Sequence, residues 1–116
     1  MKTTKKQFAI FKSEIKKLVK IYGLTSWEVI CVYEKIDERS IATTAADPDP
    51  RIVVFTLNTE FMGDKITDKE VKDIALHEVF ELLLNRLEDM VCTSRQKEAR
   101  EEVHAIIQTL INVKGE

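Results

Sequence analysis

Ile74-Ala75-Leu76-His77-Glu78-Val79-Phe80-Glu81-Leu82-Leu83-Leu84 is the stretch on which the fold turns. It reads as a strongly apolar helix with one polar strip. At about 100° per residue, with His77 set to zero, Glu81 falls at about 40°, Asn85 at about 80° and Glu78 at about 100°. Ile74 is the one apolar residue in that arc, while Val71, Ala75, Leu76, Val79, Phe80, Leu82, Leu83 and Leu87 fill most of the remaining circumference. A helix apolar over so much of its surface belongs at the centre of a small domain. Its polar strip then opens either to bulk water or to a cleft.

The ordinary reading of such a strip is an exposed face, with His77 a surface histidine. Two features argue against it. Polar strips elsewhere in the chain mix lysine and arginine with acids, whereas this one carries a histidine and carboxylates with no nearby cation. Glu78 also sits at the margin of the apolar face beside Val71 and Leu82, where an unpaired carboxylate needs a physical reason.

Working outward, Thr67-Asp68-Lys69-Glu70 is a capping box that opens this helix, which runs to about Asp89. Before it, Arg51 to Leu57 (Arg-Ile-Val-Val-Phe-Thr-Leu) is the strongest strand, and Asn58 to Lys65 reads as a loop. Asp47-Pro48-Asp49-Pro50 must turn, because each proline lacks a ladder donor. A weaker strand is expected within Arg39 to Ala46. From Trp27 the period is two, with Trp27, Val29, Cys31 and Tyr33 on one side and Ile30 and Val32 on the other, so both faces are expected to be partly covered.

The chain opens with another helix. Phe8, Phe11, Ile15, Leu18, Val19 and Tyr22 recur at three- and four-residue steps, Thr4 with Gln7 fits a capping box, and Gly23 stops it. Thr93-Ser94-Arg95-Gln96 opens a last helix whose buried stripe is expected at Ala99, Val103, Ile106 and Leu110. The order helix, three strands, helix, helix predicts one α+β domain over residues 1–116.

Composition bounds the function. The 116 residues are 44% apolar, enough for a core without metal or disulfide staples, and the net charge of -2 selects no partner. Lysines 5, 6, 12, 16, 17 and 20 of the first helix read as a solvated face; without interleaved aromatics no nucleic-acid partner is expected. Cys31 and Cys92 lack Cys-x-x-Cys spacing and read as free thiols of a reducing compartment. No apolar run is long enough to cross a bilayer and no signal peptide is evident, so a soluble, cytoplasmic protein is expected.

Residues four apart share a helix face, so His77 and Glu81 can point at one metal ion with Glu78 beside them as a proton acceptor. Catalytic metal sites of this kind need a third side chain. The last helix offers Glu98, Glu101, Glu102 and His104. Glu101 points away from the expected stripe, Glu102 flanks it on the side of Ile106, and His104 lies on the opposite flank, which makes Glu102 the choice.

Taken together, the first helix, the Trp27 strand, the strand Ile52 to Leu57, the His77 helix and the closing Arg100-Glu101-Glu102-Val103-His104 make the whole chain resemble the small zincin metallopeptidase-like domains of phages and bacteria, the minimal gluzincin type. The resemblance implies that His77, Glu81 and Glu102 bind zinc and that Glu78 activates water for peptide hydrolysis. It also implies a cleft lined by the strand before the active helix, so that the Ile52 to Leu57 edge would take a peptide as an added strand. The departure is Glu81, where the family has the second histidine of His-Glu-x-x-His. Two carboxylates and one imidazole would neutralise a divalent ion and tilt preference from zinc toward harder ions such as manganese, magnesium or calcium. A peptidase and a zincin-like binding or regulatory module without catalysis, and then with or without an ion, both remain open on these residues.

Overall fold

In a computed structural model the described residues are 1–91 (the backbone alone over 86–91), 104–109 and 111. The chain is α+β: helix α1 (Lys5–Ile21), strands β1 (Glu28–Glu34), β2 (Ala42–Asp47) and β3 (Ile52–Asn58), helix α2 (Asp68–Val91), and a helical stretch at 104–109. The expected Thr93 cap and the stripe residues Ala99, Val103 and Leu110, together with Cys92, lie outside the described residues.

Local chemistry sets the helix starts. Thr4 accepts from the Gln7 backbone N–H at 3.1 Å and the Gln7 side chain accepts from the Thr4 N–H at 3.1 Å, so two orphan donors of the first turn are satisfied reciprocally. Thr67 and Glu70 repeat the arrangement at α2, at 3.2 Å each way. Gly23, at φ +68°, takes the left-handed conformation that ends α1.

The sheet runs in the order β1-β3-β2, with β1 parallel and β2 antiparallel to β3. The strand Ile52 to Leu57 is therefore central and has no free edge, which corrects the expected peptide-accepting edge there. The physical reason is that the most apolar strand gains most from neighbours on both sides, which leaves the edges to β1, with a glutamate at each end, and to the more polar β2. The free edges among the described strands belong to β1 and to β2, the latter being Ala42-Thr43-Thr44-Ala45-Ala46-Asp47.

Val53, Phe55 and Leu57 are fully buried on the sheet face toward the helices, where Phe11, Ile15 and Leu18 of α1 and Val71, Ala75 and Val79 of α2 close the core. On the other face Ile30 is 40% exposed and Val32 is half-buried, so that face of β1 is partly covered, as the period of two predicts. In the last helix Ile107 is fully buried while Ile106 is 46% exposed, which turns the inward stripe one residue past its expected centre. Two adjacent isoleucines look alike in sequence, and packing chose between them.

Beyond the strand, Asn58 is fully buried. Its Oδ1 accepts from the backbone N–H of Ile36 (3.1 Å) and Glu60 (3.2 Å), and its Nδ2 donates to the carbonyls of Asp37 (3.1 Å) and Ser40 (2.8 Å). One side chain thus satisfies four backbone groups and fixes the β1–β2 connection against the end of β3.

Candidate active site

The polar strip of α2 faces β2. Glu78 is only 7% exposed, and its Oε1 accepts from Thr44 Oγ at 2.9 Å, so the carboxylate that lacked an explanation in sequence has a hydroxyl partner on the strand. Thr44 was not foreseen. It alternates with Ala42 and Ala46 on the helix-facing side of an edge strand, and only the two small neighbours hint that something larger approaches there.

One helical turn on, Glu81 Oε1 lies 3.3 Å from His77 Nε2. The same oxygen lies 3.1 Å from His104 Nδ1. The structure therefore brings His77, Glu81 and His104 together, with Glu78 beside them. Glu98, Glu101 and the preferred third candidate Glu102 lie outside the described residues. His104, ranked below Glu102 when the stripe was centred near Ile106, arrives because the buried residues are Ile107 and, in part, Ile111, three and seven positions on.

Two imidazole nitrogens and one carboxylate match the donor composition of catalytic zinc sites, and both separations match those between ligands sharing one ion. The set is not closed as it stands. Both rings address one oxygen, and among the described residues no group of three His, Cys, Asp or Glu is arranged to hold an ion. The His104 side chain is half exposed, so its ring is free to turn. The donor types, two imidazoles and a carboxylate, are ones that fit a divalent ion.

Titration follows the contacts. The hydrogen bond to Glu81 holds His77 above its ordinary value, against the opposing effect of its partial burial. The hydrogen bond from His77 holds Glu81 below its own. Burial pushes Glu78 up, with the Thr44 hydrogen bond pulling the other way. His77, being raised, contributes stability that is whole below about pH 6.5 and is lost as pH rises through its raised value. Glu81, being lowered, contributes stability that is whole above about pH 4.3 and is lost as pH falls through its lowered value. Glu78 weakens the fold as it ionises, from about pH 4.3 upward. Thermal melts of the chain freed of divalent ions should thus peak between about pH 4.3 and 6.5, toward the acid side of that window. Glu81→Gln should flatten the alkaline decline; an unchanged decline would contradict the His77–Glu81 pairing.

No protein-family model, no curated protein and no solved structure matches the chain. No helix among the described residues is long and apolar enough to cross a membrane, and Cys31 is a free, half-buried thiol.

Proposed function

We propose that the chain is a metal-dependent hydrolase of peptide bonds with a zincin-like arrangement, in which His77, Glu81 and His104 hold the ion and Glu78 carries the proton. The observation that carries this reading is the meeting of both histidines on Glu81 beside a buried glutamate. The glutamate at position 81 loses the family's second imidazole from α2, and His104 supplies an imidazole from the next helix. The site keeps two neutral ligands and one anion instead of the two anions implied by Glu102. That restores a net positive charge on the ion and moves preference back toward zinc, with manganese second.

A bound divalent ion would supply Lewis-acid polarisation of the scissile carbonyl and of water. The chain's own residues do the rest. Glu78, with its proton affinity raised by burial, takes the proton of the attacking water at a carboxylate oxygen. The water oxygen joins the acyl carbon, the C–N bond breaks, and the same proton passes to the leaving nitrogen. Thr44 Oγ fixes the carboxylate rotamer. The free edge of β2, which carries Thr44, is the edge beside Glu78 where a peptide backbone can pair.

The second reading is a zincin-like binding module without turnover, held by an imidazole–carboxylate–imidazole bridge between two helices. It is favoured by the unclosed ligand set. Equilibrium dialysis against zinc separates the two. The hydrolase reading expects one ion per chain at micromolar free zinc, lost by about tenfold or more in His104→Ala and largely unaffected in Glu102→Ala. Stoichiometric binding that survives His104→Ala but not Glu102→Ala would return the third ligand to Glu102. No binding at all would leave the module reading.

A further inference from the structure

A cavity of about 300 Å³ opens where the α1–β1 loop and the β2–β3 turn meet the fifth turn of α2. Leu24, Trp27 and Pro48 form one side, and Leu82, Leu83 and Asn85 the other. Arg51 is the one charged residue in its lining. Its size is at the low end for ligand pockets and holds an amino-acid side chain.

Arg51 is unusual in two ways. It is the only non-glycine residue at positive φ among the described residues, at 68°. A long side chain rarely adopts that conformation, and here the turn closed by the Arg51 N–H on the Asp47 carbonyl (2.9 Å) enforces it. Its guanidinium gives one hydrogen bond, from Nη1 to Ser26 Oγ at 3.0 Å, and forms no ion pair among the described residues. A guanidinium has five N–H donors in a planar fork that matches a carboxylate, and those of exposed Arg51 beyond the Ser26 bond face solvent, open to a ligand.

The cavity lies one turn along α2 from the candidate site. Leu82 lies one turn along α2 from Glu78, and Asn85 one turn from Glu81, each step being about 6 Å along the axis. A peptide lying along the β2 edge would pass Asp47 and enter beside Pro48.

We propose that this cavity receives the C-terminal residue of a peptide, its apolar side chain against Leu24, Trp27 and Leu82 and its α-carboxylate on Arg51. The inference deepens the hydrolase reading and rests on it for the position of the scissile bond: the bond attacked is the last one, and the product is a single apolar amino acid. The cation selects the carboxylate and the apolar walls select the side chain.

Trp27 is the chain's single tryptophan and lines the cavity, so its fluorescence reports occupancy directly. The probes are N-acetyl-Ala-Ala-Phe with a free carboxylate, the same peptide as its C-terminal amide, and octanoate, each titrated into the full chain stripped of metal by chelator. The acid peptide is expected to give a saturable change and to bind at least about tenfold more tightly than the amide. Arg51→Asn, which tolerates the left-handed backbone, is expected to remove that preference; should it fail to fold, the acid–amide comparison on the unaltered chain stands alone. Equal binding of acid and amide, no saturable change up to millimolar peptide, or tighter binding of octanoate would each overturn the proposal. Because the readout is binding without metal, the two readings fail separately. Acid-selective binding with no hydrolysis after zinc is restored overturns the hydrolase and leaves the cavity's ligand. Cleavage of end-blocked peptides with no acid preference does the reverse.

Discussion

Glu78→Gln is expected to lower metal-dependent peptide hydrolysis by about 10²–10⁴-fold, the usual worth of a positioned proton carrier. The fold should not suffer. Glutamine keeps an oxygen acceptor for Thr44 Oγ, and it removes a carboxylate whose ionisation burial opposes. The variant should melt at or above the temperature of the unaltered chain at pH 8, since Glu78 costs stability once it is ionised. Zinc uptake should persist, because the proposed ligands are His77, Glu81 and His104. Turnover within a few-fold of the unaltered chain would remove Glu78 from the chemistry. Lost turnover with lost zinc would make it a ligand instead of a proton carrier. Initial-rate assays, thermal melts and zinc stoichiometry on the same preparation separate these cases.

The second large effect is structural. Asn58→Ala should cost about 3 kcal/mol or more, because it strands the Ile36 and Glu60 N–H groups and the Ser40 carbonyl and leaves the Asp37 carbonyl with the Ser40 N–H alone. For a chain of this size that is a fall of roughly 10–15 °C in Tm. Asn58→Asp should do no better: it keeps the acceptor toward Ile36 and Glu60 but sets a buried carboxylate oxygen against the Asp37 and Ser40 carbonyls. The loss propagates to the N-terminal segment. Thr3 Oγ donates to the Asn58 carbonyl at 2.6 Å and lies 3.0 Å from the Tyr33 hydroxyl, so the strap preceding α1 is anchored at the same point. A shift of under about 3 °C in urea-free melts would mean that water replaces all four bonds.

The contrast between these residues shows what a sequence carries. Periodicity and caps are local, so α1, α2 and the Asp47–Pro50 turn could be read directly: Phe11, Ile15 and Leu18 are buried as spaced, and Thr4–Gln7 and Thr67–Glu70 cap as patterned. The identity of Ile52 to Leu57 as a strand is equally local, but its place in the sheet is a competition among strands, and the most apolar one took the centre. The His77-Glu78-Glu81 strip was visible because it lies on one helix. Thr44 was not, and His104 stood only as a candidate ranked below Glu102, since each reaches the strip from an element whose rotation is set by packing: Thr44 by the β2–β3 register, His104 by the choice of Ile107 over Ile106 as the inward residue. Asn58 stood at the start of a polar run and read as loop, and nothing in a single side chain announces that four backbone groups will gather around it.

The most direct measurement is anomalous scattering from a crystal of the full chain soaked in zinc at pH 7.5. The account predicts one peak per chain within about 2.0–2.2 Å of a nitrogen of His77, a nitrogen of His104 and an oxygen of Glu81, with the His104 ring turned off the carboxylate to meet it. A crystal in which both imidazoles still contact Glu81 and no peak lies within reach of His77 would contradict it.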